Sequence, residues 1–234
     1  MSKQPASKNV ELRLSKTPPA RLQRAMEQAC DATSVQLDVQ AGAGMELMVR
    51  EAAGQHYVGV GLTNLNRVEI DGAVGDYALC GSDQCETTIH GNAGDFLGHS
   101  FRSGVVIITG NAGDSVGAMG VGGLIAVYGS AGNRVGVSLQ GADVLIRGNA
   151  GADVGFGMRS GTIIIGGSAG PNMGRGMRGG TIYVRGEATD VCSEIEEVRM
   201  REPDRLKLGL LLMKSGIKSS SGKEFRVYRP RAEA

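Results

Sequence analysis

One 19-residue unit recurs six times between Gly72 and Gly186, and this repeat constrains the fold more than any other feature of the chain. The first glycines of successive units keep their spacing without a slip: Gly72, Gly91, Gly110, Gly129, Gly148, Gly167 and Gly186. A fixed period of this size is the signature of a solenoid, in which each unit forms one coil and stacks on the next. The repeat therefore predicts a stacked coil built from one supersecondary unit.

Each unit ends in a short apolar run rich in β-branched residues, for example residues 105–109 and 162–165. Runs of this length bounded by glycines are typical of strands and are too short for helices. Residues 67–71 fit the same register one unit earlier. The sequence therefore predicts an all-β fold, a right-handed parallel β-helix of about seven rungs of 19 residues.

Three positions of the unit form apolar columns when the units are aligned. Two of them alternate within the strand and one lies in the preceding turn. The first comprises Val68, Thr87, Val106, Ile125, Val144, Ile163 and Ile182; the second, Ile70, Ile89, Ile108, Val127, Ile146, Ile165 and Val184; the third, Ala78, Leu97, Val116, Val135, Val154 and Met173. Alternate strand residues share a face and neighbouring strands lie roughly 4.8 Å apart. These columns are predicted to fill the inside of the coil.

The strand position between the two inward columns should face outward, yet much of it is apolar. This outer column comprises Glu69, Thr88, Ile107, Ala126, Leu145, Ile164 and Tyr183. An apolar stripe over several coils indicates that something covers it, and the chain's own flanks and another subunit are equally good candidates. Ile107, Leu145, Ile164 and Tyr183 are therefore candidate partner-interface residues.

The repeat divides the chain into residues 1–66, an α+β flank that could cap the first coil, residues 67–190, the β-helix, and residues 191–234. In the first flank we expect strands at 10–14, 34–39 and 45–49 and a helix from about 17 to 30, with two prolines at its start. An open coil end exposes unpaired strand edges, which is why a cap is expected there.

The last segment predicts a helix over 202–216, with a proline near its start and a glycine at its end. Its leucines occupy more than half of its circumference, which favours burial against the last coil or a neighbour. Residues 224–229 alternate and lead into a basic tail, which could be an arm reaching another chain or a solvated end. Phe225 and Tyr228 are the candidate contacts of such an arm.

Three exposed-side arginines, Arg102, Arg159 and Arg178, occupy one position of the repeat and could form a basic strip. An acidic partner surface and bulk water would both suit such a strip. We keep Arg159 and Arg178 as candidate interface residues.

Residues of the kind that carry chemistry are few. The chain has three histidines, His56, His90 and His99, and none stands in a hydrolase signature. Cys80 and Cys85 lie in the one unit that departs from the glycine pattern, and two free thiols are favoured over a zinc or iron–sulfur site because further soft ligands are distant. We assign no catalytic, cofactor-binding or metal-binding residue.

Two polar columns lie in the turns. Asp76, Asp95 and Asp114 form one, with Asn133 next; Asn92, Asn111, Ser130, Asn149 and Ser168 form the other. Stacked carboxylates repel unless they bind backbone N–H groups, bases or a cation. Turn capping is favoured over calcium binding, because Ala152 and Pro171 interrupt the acidic column.

The formal net charge of +1 gives no electrostatic signature of a nucleic-acid or anionic-membrane partner. No apolar run is long enough for a membrane-spanning helix, and residues 1–5 do not resemble a signal peptide. With four cysteines interpreted as free thiols, we expect a cytoplasmic protein.

The repeated pattern G-x-x-G-x-x-x-G, seen for example at Gly110, Gly113 and Gly117, resembles the C-terminal β-helix domain of the glutamate synthase large subunit. It also resembles the β-helix subunit of formylmethanofuran dehydrogenase. The tail, with Glu-Pro-Asp-Arg-Leu from Glu202 and Lys-Glu-Phe-Arg-Val-Tyr-Arg-Pro up to Pro230, is similar to the stand-alone form of this domain in N-methylglutamate synthase.

That resemblance implies a structural subunit without catalytic residues, which links an amidotransferase-like chain to an FMN- and iron–sulfur-containing synthase chain. The assembled enzyme would make N-methylglutamate from methylamine and glutamate, with both cofactors in a partner subunit and none in this chain. The alternatives are a β-helix subunit of formylmethanofuran dehydrogenase or of a formyltransferase/hydrolase complex, and an independent enzyme using the aspartate column or the cysteine pair. Leu79, Cys80 and Cys85 depart from the repeat, so this end is expected to be irregular or to contact a partner.

Overall fold

The computed structural model describes residues 9–13, 46–63, 65, 67–217 and 225–231 of the 234-residue chain. The strands are β1 (Asn9–Arg13), β2 (Glu46–Gln55), β3 (Arg67–Val74), β4 (Cys85–His90), β5 (Gly104–Ile108), β6 (Leu124–Val127), β7 (Gln140–Ile146), β8 (Ser160–Ile165), β9 (Thr181–Val184), β10 (Ile195–Val198) and β11 (Arg226–Pro230). Helix α1 (Glu202–Lys214) lies between β10 and β11. The helix expected at 17–30 and the strand at 34–39 fall outside the described residues.

Strands β1 to β9 form one continuous parallel sheet in which every strand pairs with the next along the chain. From β3 onward the pairing follows the repeat, so Val106 lies beside Ile125 and Ile125 beside Val144. Parallel strands joined by short coils in strict chain order are the arrangement of a parallel β-helix. The predicted all-β solenoid is confirmed.

A second ladder closes the opposite side of each coil, where small residues follow the first glycines of the units. Consecutive coils pair there through parallel bridges between Ala93, Ala112, Ala131, Ala150, Ala169 and Ala188. The turns between the two ladders are also hydrogen-bonded from coil to coil, as Phe96 N–H donates to the Asp114 carbonyl at 2.8 Å. Stacking therefore satisfies backbone groups around the circumference of the coil and not only in the main sheet.

The three apolar columns fill the coil as predicted. Val106, Ile125 and Val144 of the first strand column are fully buried, as are Ile108 and Ile146 of the second. The residues of the turn column are also fully buried: Ala78, Leu97, Val116, Val135, Val154 and Met173. Because complete burial of one such side chain contributes about 1.5–3 kcal/mol, these ladders are the main source of stability.

Glycines in the turn are required where the chain enters the left-handed region close to the core. Gly98 has φ +62°, and a Cβ built there would lie 2.5 Å from Cδ1 of Ile125. The departing unit has Leu79 at the equivalent place, and this leucine keeps a φ of +57° while being fully buried. The irregular unit therefore keeps the path of the coil by placing a strained non-glycine residue where the other units have glycine.

The solenoid also extends N-terminally beyond residue 67, where the repeat predicted its start. Strand β2 pairs in parallel with β3, and Leu47 and Val49 are buried in the same core. Irregularities between Val49 and Ala52, and between Ala53 and Gln55, lengthen this coil, so Glu46 pairs with Arg67 at a spacing of 21 residues. The extra residues remove the glycine register, which is why the sequence pattern does not reveal this coil.

At the other end, β11 inserts into the sheet between β9 and β10 and runs antiparallel to both. Residues 226–230 are therefore neither a solvated tail nor an arm to another chain, because their backbone completes the chain's own sheet. Helix α1 packs on the outer face of the sheet through Leu208, Leu211 and Leu212. We call α1 together with residues 225–230 the C-terminal cover.

Helix α1 begins and ends as its sequence predicts. Pro203 lies in the first turn, and the Asp204 carboxylate accepts a hydrogen bond from the Arg201 N–H at 2.8 Å. Gly216 follows the last turn with φ +72°. No helix among the described residues is long and apolar enough to cross a membrane.

Candidate functional site

His56 and His99 lie in the turns after β2 and β4, and His90 is the last residue of β4. The His56 Nδ1 atom accepts a hydrogen bond from the Asp76 N–H at 2.9 Å, and His90 Nε2 lies 2.6 Å from Glu69 Oε2 on the exposed surface. His99 contacts the Ser100 hydroxyl at 3.0 Å. The partners of His56 and His99 belong to turns, and His90 forms an ion pair with Glu69, whose side chain is 14% exposed. These contacts are therefore structural.

Cys80 and His99 meet across neighbouring coils, a contact that the sequence motifs did not indicate. The Cys80 Sγ atom lies 3.8 Å from His99 Nδ1. The residues are 19 positions apart, so the repeat period itself was the signal that places them in one column. Burial raises the pKa of the Cys80 thiol, which disfavours the thiolate that a nucleophile or metal ligand requires.

Cys85 lies inside the coil and its thiol donates to the Asp83 carbonyl at 3.2 Å. Burial raises the pKa of this thiol as well, with Asp83 adding to the effect. Cys80, Cys85 and Cys192 are free thiols. Within the described residues no group of three or more histidine, cysteine, aspartate or glutamate side chains could hold a metal ion.

The aspartate column caps the turns of successive coils. Asp76 Oδ1 accepts from the Asp95 N–H at 2.8 Å, and Asp95 Oδ1 accepts from the Asp114 N–H at 2.7 Å. Asp114 and Asn133 continue the series to the next two backbone N–H groups. Each carboxylate thus satisfies a donor of the following coil, and this hydrogen bonding offsets the repulsion between stacked charges.

The asparagine and serine column does the same at the neighbouring turn. Asn92 Oδ1 accepts from the Asn111 N–H at 2.8 Å, and Asn111 Oδ1 accepts from the Ser130 N–H at 2.8 Å. Ser130, Asn149 and Ser168 extend the ladder to Glu187. The predicted capping role of both columns is confirmed. The polar residues that repeat most regularly therefore use their side-chain oxygens to bind backbone N–H groups of the next coil.

An aromatic stack runs along the turns that follow β2, β3 and β4. The rings of Tyr57 and Tyr77 lie parallel with centroids 5.4 Å apart, and those of Tyr77 and Phe96 with centroids 4.7 Å apart. All three residues have positive φ, at 59°, 57° and 57°. Ring stacking contributes about 0.5–1.5 kcal/mol per pair, which helps to offset the backbone strain.

The outer column divides into a covered and an uncovered part. Leu145, Ile164 and Tyr183 are each 1% exposed beneath the C-terminal cover, whereas Ile107 is half-buried. The sequence left two equal candidates for covering this column, the chain's own flanks and another subunit. Over the last coils the column is covered by the chain's own C-terminal flank. The three buried side chains therefore do not contact a partner in this conformation.

Phe225 and Tyr228 belong to the cover itself. Phe225 packs into the cluster formed by α1 and the outer column, and the Tyr228 hydroxyl donates to Glu197 at 3.3 Å. Both are buried, because β11 pairs with two strands of its own chain. The expectation that these two residues contact another chain does not fit this arrangement.

A buried polar network fixes the cover to the sheet. The Asp204 carboxylate, 7% exposed, pairs with Arg229 of β11, and the Tyr183 hydroxyl donates to it at 3.5 Å. Burial first, and the negative charge of Asp204 second, raise the pKa of Tyr183 to about 12. The Tyr128 hydroxyl makes a second attachment by donating to the Ser215 carbonyl at 2.7 Å.

The GXGXG motif model matches residues 20–205, which is most of the chain. The chain belongs to the GXGXG family. Among curated proteins, none matches it by sequence. One similar solved structure is a chain of the formyltransferase/hydrolase complex from Methylorubrum extorquens, crystallised with methylofuran. The two chains are 21% identical, with a TM-score of 0.53, over 90% of this chain and 89% of that chain.

The solvent-exposed surface available to a partner of this GXGXG chain differs from the interface that its sequence predicts. Arg159 and Arg178 are exposed on adjacent coils and have no acidic partner among the residues that the structure describes. Leu206, Leu210 and Met213 form an apolar stripe along the solvent side of α1, with exposures of 60%, 60% and 70%. Sequence reasoning missed this stripe because it treated all leucines of the helix as buried.

Proposed function

We propose that this GXGXG chain is a structural, non-catalytic subunit of a multi-subunit enzyme complex. The observation that carries the proposal is the commitment of its repeated polar groups to backbone capping, together with membership of the GXGXG family. A wall of stacked coils offers a rigid surface on which other chains can be arranged. The catalytic groups and cofactors are assigned to those chains.

The complex that we favour is a glutamate-synthase-like enzyme, N-methylglutamate synthase. Its partners would be an amidotransferase-like subunit and an FMN-binding subunit with an iron–sulfur cluster. Methylamine and glutamate would yield N-methylglutamate and ammonia on those subunits. The support is the tail resemblance, whose residues build α1 and β11 in this chain.

A formyltransferase/hydrolase complex, or the related formylmethanofuran dehydrogenase, is the second candidate. Its support is the fold likeness to a chain of the formyltransferase/hydrolase complex, which spans nearly all of both chains. In that case the same coil would join metal-dependent partners instead of flavin-dependent ones.

Partner contact is assigned to surfaces that the chain leaves open. The stripe of Leu206, Leu210 and Met213 is the strongest candidate, because large apolar side chains exposed together on one helix are the kind of surface that a permanent complex buries. Arg159, Arg178 and the half-buried Ile107 remain secondary candidates.

Purification of the tagged chain from its native host tests the proposal. Co-purification of an amidotransferase-like chain and a chain with flavin absorbance supports the first candidate, and co-purification of formyltransferase or hydrolase chains supports the second. A chain that elutes as a lone monomer contradicts both.

The Leu206→Ser/Leu210→Ser/Met213→Ser variant tests the surface. It is expected to release the partners while retaining the unfolding midpoint of the native chain, since these side chains are largely solvent-exposed. Arg159→Gln/Arg178→Gln provides the comparison at the secondary surface. Retention of all partners by the triple variant would exclude the helix stripe as the contact.

A further inference from the structure

Helix α1 carries apolar side chains on two opposite faces. One face packs on the sheet through three leucines that are at most 8% exposed: Leu208, Leu211 and Leu212. The other face carries the stripe of Leu206, Leu210 and Met213, each at least 60% exposed. A surface helix normally has one apolar face, and a helix that is apolar on both sides is normally covered on both. The stripe therefore indicates a second layer on the solvent side of α1.

The spacing of the stripe indicates what kind of element fits on it. Leu206, Leu210 and Met213 follow one another at intervals of four and three residues, so their side chains form one ridge along the helix. Such a ridge packs into the groove of another helix. The backbone groups inside a helix are hydrogen-bonded along it, so α1 offers a partner side chains and no open strand edge. The geometry therefore favours a helix over a strand as the occupant.

Gly209 lies beside this ridge, three residues after Leu206 and four before Met213. A Cβ built at Gly209 would meet no atom of the described residues within 4 Å, so the packing of this chain does not require a glycine there. Glycine is also unfavourable inside a helix relative to alanine or leucine. The missing side chain does allow the backbone of a second helix to approach closely. Gly209 thus marks a crossing point, independently of the apolar stripe.

The charges around the stripe restrict the partner further. The segment 199–214 exposes five cations and a single carboxylate, that of Glu202. Arg205 pairs with Glu202 at 3.4 Å and Lys207 with Asp143 at 3.6 Å, which leaves an excess of positive charge. A second copy of this chain would bring the same excess to the contact, and like charges across an interface are unfavourable. Acidic residues beside the apolar residues of a partner helix would complement it.

We propose that an amphipathic helix of a partner subunit crosses α1 at Gly209, with its apolar residues on the stripe and acidic residues beside the cations of segment 199–214. This inference rests on the proposed scaffold function and adds the kind of element that the partner presents. An anionic membrane would also attract the cations. A fluid bilayer has no need of the missing Cβ of Gly209, however, and so accounts for only part of the surface.

Photo-crosslinking in the native host tests the identity of the occupant. The tagged full-length chain carries benzoylphenylalanine in place of Leu210, and the crosslinked peptides are sequenced by mass spectrometry. We expect a peptide of a co-purifying subunit in which apolar residues recur every three or four positions with Asp or Glu beside them. Crosslinks to a second copy, to lipid or to a partner segment without this pattern would overturn the proposal.

Two further outcomes separate this inference from the scaffold role. If partners co-purify but position 210 gives no crosslink, the helix contact is wrong and the scaffold role stands. If the chain purifies alone, the scaffold role fails together with the contact that depends on it.

Gly209→Leu tests the crossing point. In the full-length chain expressed alone, the added side chain meets no neighbour and improves helix propensity, so the unfolding midpoint should rise by roughly 2–4 °C. In the complex it occupies the space of the partner helix, so the crosslink yield from position 210 should fall roughly tenfold, as expected for an overpacked contact. Ser193→Leu, which adds the same side chain at an exposed turn, should retain the yield. An unchanged yield in Gly209→Leu, or a lowered midpoint in the free chain, would contradict the proposal.

Discussion

The first and second halves of the main sheet have the same inside but different outsides. Strands β3 to β5 carry Glu69, Thr88 and Ile107 in the outer column, and all three are partly open to solvent. Strands β6 to β9 carry Ala126, Leu145, Ile164 and Tyr183 at the same position, and these are at most 1% exposed. Inward residues on either half are fully buried, for example Ile89 and Ile163.

This difference separates two sources of order in one sheet. The inside is fixed by a repeat in which each coil buries its neighbour's apolar face. The outside is fixed by a single non-repeated element, the C-terminal cover, which rests on the second half only. One face of the sheet can therefore be buried by the chain's own cover in one half and stay open to solvent in the other. This requires the outer column to change from apolar to more polar residues where the cover ends.

The largest expected contrast is between two isoleucines of the outer column. Ile164→Ala should lower the free energy of unfolding by about 3 kcal/mol, because it leaves a cavity beneath the cover. Ile107→Ala should lower it by about 1 kcal/mol or less, because this side chain is only half-buried and its surroundings are open to solvent. Urea unfolding monitored by circular dichroism measures both values. Equal losses would mean that the cover does not shield the second half.

The attachment of the cover depends on Asp204. Asp204→Ala should cost about 2–3 kcal/mol, since it removes the partner of Arg229 and an N-terminal hydrogen bond of α1. The value is placed below that of a fully buried pair because the Arg229 side chain is 33% exposed. Glu202→Ala, which removes an exposed carboxylate of the same helical turn, is the control and should change the unfolding midpoint little. Thermal unfolding of the two variants distinguishes these outcomes.

Tyr183 makes the covered half sensitive to alkaline pH. Its folded-state pKa of about 12 exceeds the ordinary tyrosine value of about 10, so the unfolded chain releases the proton first. The stabilisation is complete below pH 10 and is lost as pH rises towards 12. Tyr183→Phe should flatten the decline of the unfolding midpoint over this range. A decline as steep as that of the native protein would assign the effect to other groups.

The stability contribution of the asparagine and serine capping column should be the same beneath the cover and outside it. Asn111→Ala and Asn149→Ala each remove one acceptor of a backbone N–H, from coils in the first and second halves respectively. Each substitution is expected to cost about 1 kcal/mol, because one side-chain hydrogen bond is lost at an exposed turn. Chemical denaturation of the pair gives the comparison. A difference much larger than about 0.5 kcal/mol would show coupling between ladder and cover.

The repeat was sufficient to predict the strands, the inward columns and the two capping columns, because each depends on residues at a fixed spacing. Departures from that spacing hid the remaining features. The coil of β2 was missed because its longer unit removes the glycine register. The contact between Cys80 and His99 followed the period but was overlooked, since motif searches compare near neighbours.

The candidate interface was predictable only in part. The sequence identified an apolar outer column but left open what covers it, and five of the eight candidate interface residues are buried within the chain: Leu145, Ile164, Tyr183, Phe225 and Tyr228. Ile107, Arg159 and Arg178 remain accessible. The exposed stripe on α1 was missed because helix periodicity alone does not tell how closely a helix approaches the sheet.

The sequence by itself determined the coil, because stacking units with the same spacing leaves one arrangement that buries every apolar column and pairs the turns. Only the tertiary structure decided which face of α1 is buried, that β11 enters the sheet between β9 and β10, and that the C-terminal cover buries the outer column of the last coils. These outcomes depend on contacts between segments without a shared period, and no local pattern of residues encodes the distance or orientation at which such segments meet.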